Sequence, residues 1–222
     1  MARPELPRLL GAALIGCGAL ACAPTGADAP AREPVLGLPC EGCEAVFDGL
    51  PTTLSWTARL APEDEPGEAL VLEGTVRDPA GRPAAGVIIY AYHTDARGLY
   101  PRDRAAPSAA ARRHGRLRGW ARTDERGRYR FDTIRPAGYP DSPVAQHIHM
   151  HVIEPGCCTY YIDDVHFEDD ERLGEAERRR LLVGRGGSGL VRPVRDQSGV
   201  WRARRDIRLG EGVPGHPGGP AR

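Results

Sequence analysis

The chain has 222 residues, with 30 basic residues, all arginine, against 30 acidic ones. A formal net charge of zero gives no electrostatic footing for nucleic acid or an anionic membrane surface. The length allows one sizeable domain with flanking segments, and 28 Gly and 21 Pro suit a loop-rich all-β domain better than a helical bundle.

In chain order, residues 1–22 read as an export signal. Arg3 and Arg8 precede a nearly continuous apolar run from Leu9 to Leu20, too short to span a membrane as a helix. Cys17 and Cys22 both stand where a lipid-modified N-terminal cysteine can stand. Cleavage at Cys22 leaves four cysteines able to pair, whereas cleavage at Cys17 leaves an odd thiol, so parity favours Cys22. An ordinary secretory signal without lipid is the alternative. Each reading makes the protein extracytoplasmic: periplasmic, membrane-anchored or secreted.

Residues 23–39, rich in Ala, Pro and charge, read as a flexible tether to a domain spanning residues 40–210. Cys40-Glu-Gly-Cys43 is compatible with zinc, redox chemistry or a staple. Without a second CxxC or a thioredoxin-like context, an exported chain favours structural disulfides. Cys157 and Cys158 are available partners, and the connectivity is open.

Strands are expected over 70–76, 86–92, 117–123, 128–131, 146–154 and 162–168, separated by Pro/Gly turns at 78–81, 94–98, 124–127 and 133–140. Residues 102–116 read as a loop and 174–183 as the one short amphipathic helix. Residues 189–194 and 200–209 form a last hairpin around Asp196-Gln-Ser-Gly199, and 211–222 is a Gly/Pro tail with little reason to order. Strand–turn units at this spacing predict a β-sandwich.

The chemistry is concentrated in His147-Ile-His149-Met-His151. Alternate residues of a strand share a face, so neighbouring imidazoles can chelate one metal ion. The same pattern also fits polar decoration of an exposed face. Tyr100 follows the turn at 95–98, and Tyr139 sits in the Pro/Gly corner eight residues before His147. Phenolate is a hard anionic donor suited to Fe(III), and two phenolates offset most of a trivalent charge. The plainer reading makes both tyrosines amphipathic caps of the core.

The ordered series Gly74-x-Val76-x-Asp78-x-x-Gly81-x-Pro83, Asp95-x-x-Gly98-x-Tyr100, Gly119-x-x-x-Thr123-Asp124-x-x-Gly127-x-Tyr129-x-Phe131, Thr133-Ile-Arg-Pro-x-Gly-Tyr139 and His147-Ile-His149 resembles the intradiol ring-cleavage dioxygenases. The match runs from about Leu70 to Leu209. The resemblance implies a β-sandwich of that type holding Fe(III) through Tyr100, Tyr139, His147 and His149. Tyr100 and His147 would be equatorial and Tyr139 and His149 axial, with Tyr139 released when substrate binds. It implies O2 insertion between the two hydroxylated carbons of a catechol, giving a muconate-type diacid. His151 has no ligand role in that pattern and is expected beside the site or at the surface. Tyr139, Arg135 and Gln146 are the expected catalytic side chains. Val144 stands where the family often has arginine, so Arg135 or a residue of 102–116 is expected to supply the positive donor. Tyr92 stands where tryptophan is common. Two other readings stay open: an inactive metal- or ligand-binding module at the cell envelope, and a metal-free interaction domain of transthyretin-like or carboxypeptidase-regulatory-like type. The substrate's identity and the oligomeric state are not legible.

Overall fold

The β-branched and aromatic runs of this chain form strands because each can bury one face and expose the other. The computed structural model describes residue 1, residues 33–40 and residues 42–218. The signal segment, Cys17, Cys22 and the tether up to residue 32 lie outside the described residues, as do residues 219–222.

Two sheets pack face to face. The first contains β1 (Thr57–Arg59), β5 (Arg128–Ile134), β2 (Ala69–Arg77), β10 (Trp201–Arg204) and β9 (Val194–Arg195) in that order, with β11 (Ile207–Arg208) also paired to β2. The second is β4 (Arg118–Arg122), β3 (Ile88–Tyr92), β6 (His147–Glu154), β7 (Cys158–Phe167) and β8 (Leu190–Val191). Leu70, Leu72 and Val76 of β2, Phe131 of β5, Ile89 of β3 and Ile148, Met150 and Val152 of β6 meet in the core between the sheets. The period-2 alternation of β6 therefore sends its three histidines to the outer face of the second sheet.

The sandwich agrees with the expected architecture, and the differences have local causes. Residues 102–116, expected as a loop, contain the helix α1 (Ala109–His114). Its alanines are strong helix formers, and the Ser108 side chain accepts the Ala111 N–H at 3.0 Å as an N-cap. The expected helix is present as α2 (Glu175–Leu181). β7 begins at Cys158, earlier than expected, because it forms a hairpin with β6 in which Glu154 faces Cys158. Residues 189–194 do not belong to the last hairpin as a whole: β8 joins β7 in the second sheet, and only β9 pairs with β10.

Both ends of the domain are tied down. Thr159 N–H donates to Pro34 O and Leu36 N–H to Thr159 O, which lays residues 34–36 along β7. His216, in the segment expected to be unordered, folds back so that its Nε2 lies 2.8 Å from a Glu154 carboxylate oxygen. Residues 42–50 cross the outer face of the second sheet. Val46 packs on Tyr90 and Trp120, and the Trp120 indole N–H donates to Val46 O at 2.7 Å.

Candidate metal centre

Three backbone devices bring the candidate ligands together. The first is the turn at residues 95–98. The buried Asp95 carboxylate accepts the N–H groups of Arg97 and Leu99 at 2.9 and 3.1 Å, and so presents Tyr100. The second is the corner at residues 135–140, locked to that turn by Ala137 N–H donating to Asp95 O and by the Thr94 hydroxyl donating to Ala137 O. Gly98, at φ 78°, lies so close to Gly138 that a Cβ would strike the Gly138 carbonyl. The loops carrying Tyr100 and Tyr139 therefore form one unit.

The third device is a β-bulge. The β6–β7 register shifts between Ile148/Val165 and Met150/Ile162, so Asp163 and Asp164 together lie across from His149. Bulges re-aim side chains. Here the bulge brings an Asp164 carboxylate oxygen to 3.1 Å from His149 Nδ1.

The result is a closed polar cluster. Tyr100 OH lies 2.8 Å from Tyr139 OH and 2.8 Å from His149 Nε2, and Tyr139 OH lies 3.1 Å from His147 Nε2. His147 Nδ1 lies 2.8 Å from the Ala145 carbonyl, which only accepts, so Nδ1 carries the proton and Nε2 is the basic nitrogen. Asp164 assigns the same tautomer to His149. Two phenolic protons then serve three close contacts, and one contact falls between lone pairs. That arrangement, with two hard oxygen donors and two imidazoles, fits a cation at the centre. Burial, then the neighbouring Tyr139, pushes the Tyr100 phenol far up, so the protein alone keeps it protonated. Burial would raise Asp164, but the His149 imidazole and its hydrogen bond outweigh this and hold the carboxyl below its usual range.

Tyr92 lines the neighbouring wall. Its ring stacks on His149 at 4.4 Å and on His114 at 3.7 Å, and His114 Nδ1 lies 2.7 Å from Tyr90 OH. A cavity of about 210 Å³ opens onto Tyr100, Tyr139 and His149, with Tyr92, His114 and Arg113 on its other sides. Arg113 of α1 is ion-paired to Glu44 at 2.7 Å at that cavity. A larger cavity of about 500 Å³ reaches His149 from the other side, past Asp164, His166 and His151.

The remaining expected residues fall elsewhere. Arg135 is bound to Asp169 at 2.6 and 2.8 Å and to the Gln146 side chain at 2.9 Å, and both line a separate cavity. Val144 is 41% exposed and is not among the residues lining the 210 Å³ cavity. His151 is 1% exposed and shares the lining of the larger cavity with His149, so of its two expected places it takes the one beside the site. Asp164, His114, Glu44 and Arg113 were not singled out from sequence. Asp164 was signalled only by its place in a strand after the histidines, Glu44 adjoins the CxxC motif, and Arg113 lies within residues 102–116, the segment expected to offer a positive donor. Among the described cysteines the bonds are Cys40–Cys43 and Cys157–Cys158, so neither pair supplies partners to the other.

A family described as Dioxygenase matches residues 52–178, more than half of the chain. The chain belongs to the intradiol dioxygenase family. Catechol 1,2-dioxygenase 1 of Acinetobacter lwoffii is 35% identical over 80 residues, covering 36% of this chain and 25% of that protein. The protocatechuate 3,4-dioxygenase beta chain of Burkholderia cepacia is 29% identical over 130 residues, 52% of this chain and 55% of that one. The chain thus spans between a quarter and about half the length of these relatives. Among solved structures, the mercury-inhibited catechol 1,2-dioxygenase of Acinetobacter sp. ADP1 superposes with a TM-score of 0.56 at 23% identity, covering 74% of this chain and 59% of that chain. The dioxygenase domain of a carbohydrate-binding fusion from Streptomyces sp. SirexAA-E superposes at 0.51 and 21% identity, covering 74% of this chain and 97% of that domain. At these identities the superpositions speak for the fold of this intradiol-type dioxygenase chain.

Proposed function

We propose that this dioxygenase-family protein is a non-haem Fe(III) intradiol enzyme that opens a catechol ring between its two hydroxyls with O2, giving a muconate-type diacid. The observation that carries the reading is the convergence of Tyr100, Tyr139, His147 and His149 on one point beside an open cavity. These four side chains would hold the iron. Ferric iron there would supply Lewis acidity and a template for a chelating catechol.

The chain's own residues supply the rest. Tyr139 is a partly buried residue at the cavity, and as the phenolate that would hold the iron it would accept a catechol proton and end as the neutral phenol. Tyr92 braces the His149 ring by stacking on it at the cavity wall. Arg113 supplies the positive donor that Val144 does not, from the 102–116 segment, and faces the negative charge that grows as the ring opens. A cavity of about 210 Å³ is smaller than the ~300–1,000 Å³ typical of drug-sized sites, which favours single-ring catechols. We further propose that the protein works outside the cytoplasm, exported by residues 1–22 and anchored or released according to how Cys22 is processed.

The test is O2 uptake with product analysis on iron-replete protein across a panel of single-ring catechols. Ring-opened diacids, together with a red-to-purple phenolate-to-Fe(III) band that Tyr139→Phe and His149→Ala weaken, support the proposal. A catechol-induced change in the band without O2 consumption would make the protein a binding module instead. A colourless iron-loaded sample would refute the metal centre itself.

A further inference from the structure

The Cys40–Cys43 segment and His151 play no part in that chemistry, yet the fold brings them together. Gly42, at φ 75°, makes the turn that leads into the short 3-10 helix at Cys43–Ala45. A Cβ at Gly42 would lie 2.9 Å from Tyr92 OH and 3.0 Å from the His114 ring, so the loop sits tightly on the sheet. This holds both sulfurs over the outer face of β6, where a ring nitrogen of His151 and the two Sγ atoms all lie within 4.8 Å of one another. Cys43 and His151 are buried, whereas Cys40 and His151 also line the cavity of about 500 Å³.

We infer that Cys40, Cys43 and His151 form a second metal site, for a zinc-class divalent ion, that is closed while the Cys40–Cys43 disulfide is intact and opens when a dithiol reduces it. Two thiolates and one imidazole are a three-ligand zinc set. The cavity beside Cys40 leaves room for water or a small ligand in the fourth position. The balance is simple. An external dithiol gives two electrons and two protons to the disulfide and becomes a disulfide itself. The two protein thiols then release their protons as the ion binds, and the two thiolates neutralise its charge.

The site is separate from the candidate iron centre. The ligand atoms of Cys40, Cys43 and His151 cluster around one point, those of His147 and His149 cluster with Asp164, and the two groups share no residue. The inference therefore holds or falls independently of the ring-cleavage reading.

Co(II), which reports thiolate ligation through a charge-transfer band, tests the site on the full chain, oxidised or reduced with a phosphine that does not itself bind as a thiol. Reduced wild type should take up Co(II) with a two-thiolate band that Zn(II) bleaches, and oxidised protein should show no such band. The Cys157→Ser/Cys158→Ser protein removes the other cysteine pair among the described residues, which clusters with Glu154 and His216, and should keep the band. Tyr139→Phe should also keep it. Cys40→Ser/Cys43→Ser should lose it, with affinity falling by more than the ~10–100-fold expected when an outer-sphere partner is removed. His151→Asn should weaken binding while leaving two sulfur scatterers in X-ray absorption. No band in reduced wild type, the same band in oxidised wild type, or a band that survives Cys40→Ser/Cys43→Ser but disappears from Cys157→Ser/Cys158→Ser would overturn the assignment. The wild-type comparison stands even if a variant fails to fold.

Discussion

At the scale of single residues, Asp164 illustrates how an unremarked carboxylate can govern a site. Its hydrogen bond fixes the His149 tautomer with Nε2 turned toward Tyr100. Carboxylate partners of this kind orient metal-bound imidazoles and raise their basicity, and losing one typically costs about 10–100-fold in metal affinity or activity. Asp164→Ala should therefore lower iron affinity by about that factor, read by competition with a chelator. Asp164→Asn keeps an acceptor for Nδ1–H and should recover much of the affinity. Equal losses in both variants would mean that charge, and not orientation, is what His149 needs. Arg113→Met, by contrast, should leave iron occupancy unchanged and lower turnover by about 10²–10³ if the guanidinium stabilises developing charge. An unchanged rate would remove Arg113 from the site's chemistry.

At the scale of elements, the tyrosine loops behave as one rigid corner. Gly98→Ala puts a side chain into a left-handed backbone position, costing about 1–2 kcal/mol, and also drives a methyl into the Gly138 carbonyl. The expected outcome is a displaced Tyr139, with a weaker iron-phenolate band at a nearly unchanged fold, checked by visible absorption alongside circular dichroism. A full-strength band would show that the corner can yield without moving Tyr139. This scale also explains what the sequence could and could not reveal. The Thr123–Gly127 and Asp95–Gly98 motifs are legible because turn chemistry is local: Asp124 accepts from Arg126 and Arg128 N–H just as Asp95 does from Arg97 and Leu99. Tyr100 and Tyr139 are legible for the same reason, lying after such a turn and in a Pro/Gly corner, whereas His147 and His149 are legible from the alternation along β6. Asp164 was hidden because its role depends on a register shift between strands, which no local pattern announces. Arg113 was narrowed only to residues 102–116, because α1 reaches the site through tertiary packing, and Arg135, though beside the right corner, is held by Asp169. The last short strands were misgrouped because two-residue pairings carry almost no periodicity.

At the scale of the whole molecule, stability and pH are linked through a histidine that lies outside the ligand set. His93 follows directly after β3 and is completely buried. Its Nδ1–H donates to Thr94 O at 2.7 Å, and its Nε2 lies 2.7 Å from the Thr133 hydroxyl, so the neutral ring bridges the β3 end and β5. Burial pulls its pKa down to about 4 from the usual 6.5. The folded state therefore resists a proton that the unfolded chain accepts. Since the unfolded state binds more protons between those two values, stability rises with pH across that window. The contribution is fully present above pH 6.5 and is lost progressively as the pH falls toward about 4. A gap of this size corresponds to about 3 kcal/mol, a large fraction of a typical domain's margin. Urea unfolding at pH 7 and pH 4.5 should show that loss in wild-type protein, and His93→Gln should shrink the pH-dependent part while lowering stability at pH 7. Because Thr94 and Thr133 flank the loops that carry Tyr100 and Tyr139, the same acid range should loosen the candidate iron centre before the sandwich unfolds. The iron-phenolate band should fade at a higher pH than the far-ultraviolet signal, and in His93→Gln the two transitions should draw together. Coincident loss of both signals in wild type would show that the corner and the sandwich fail as a single unit.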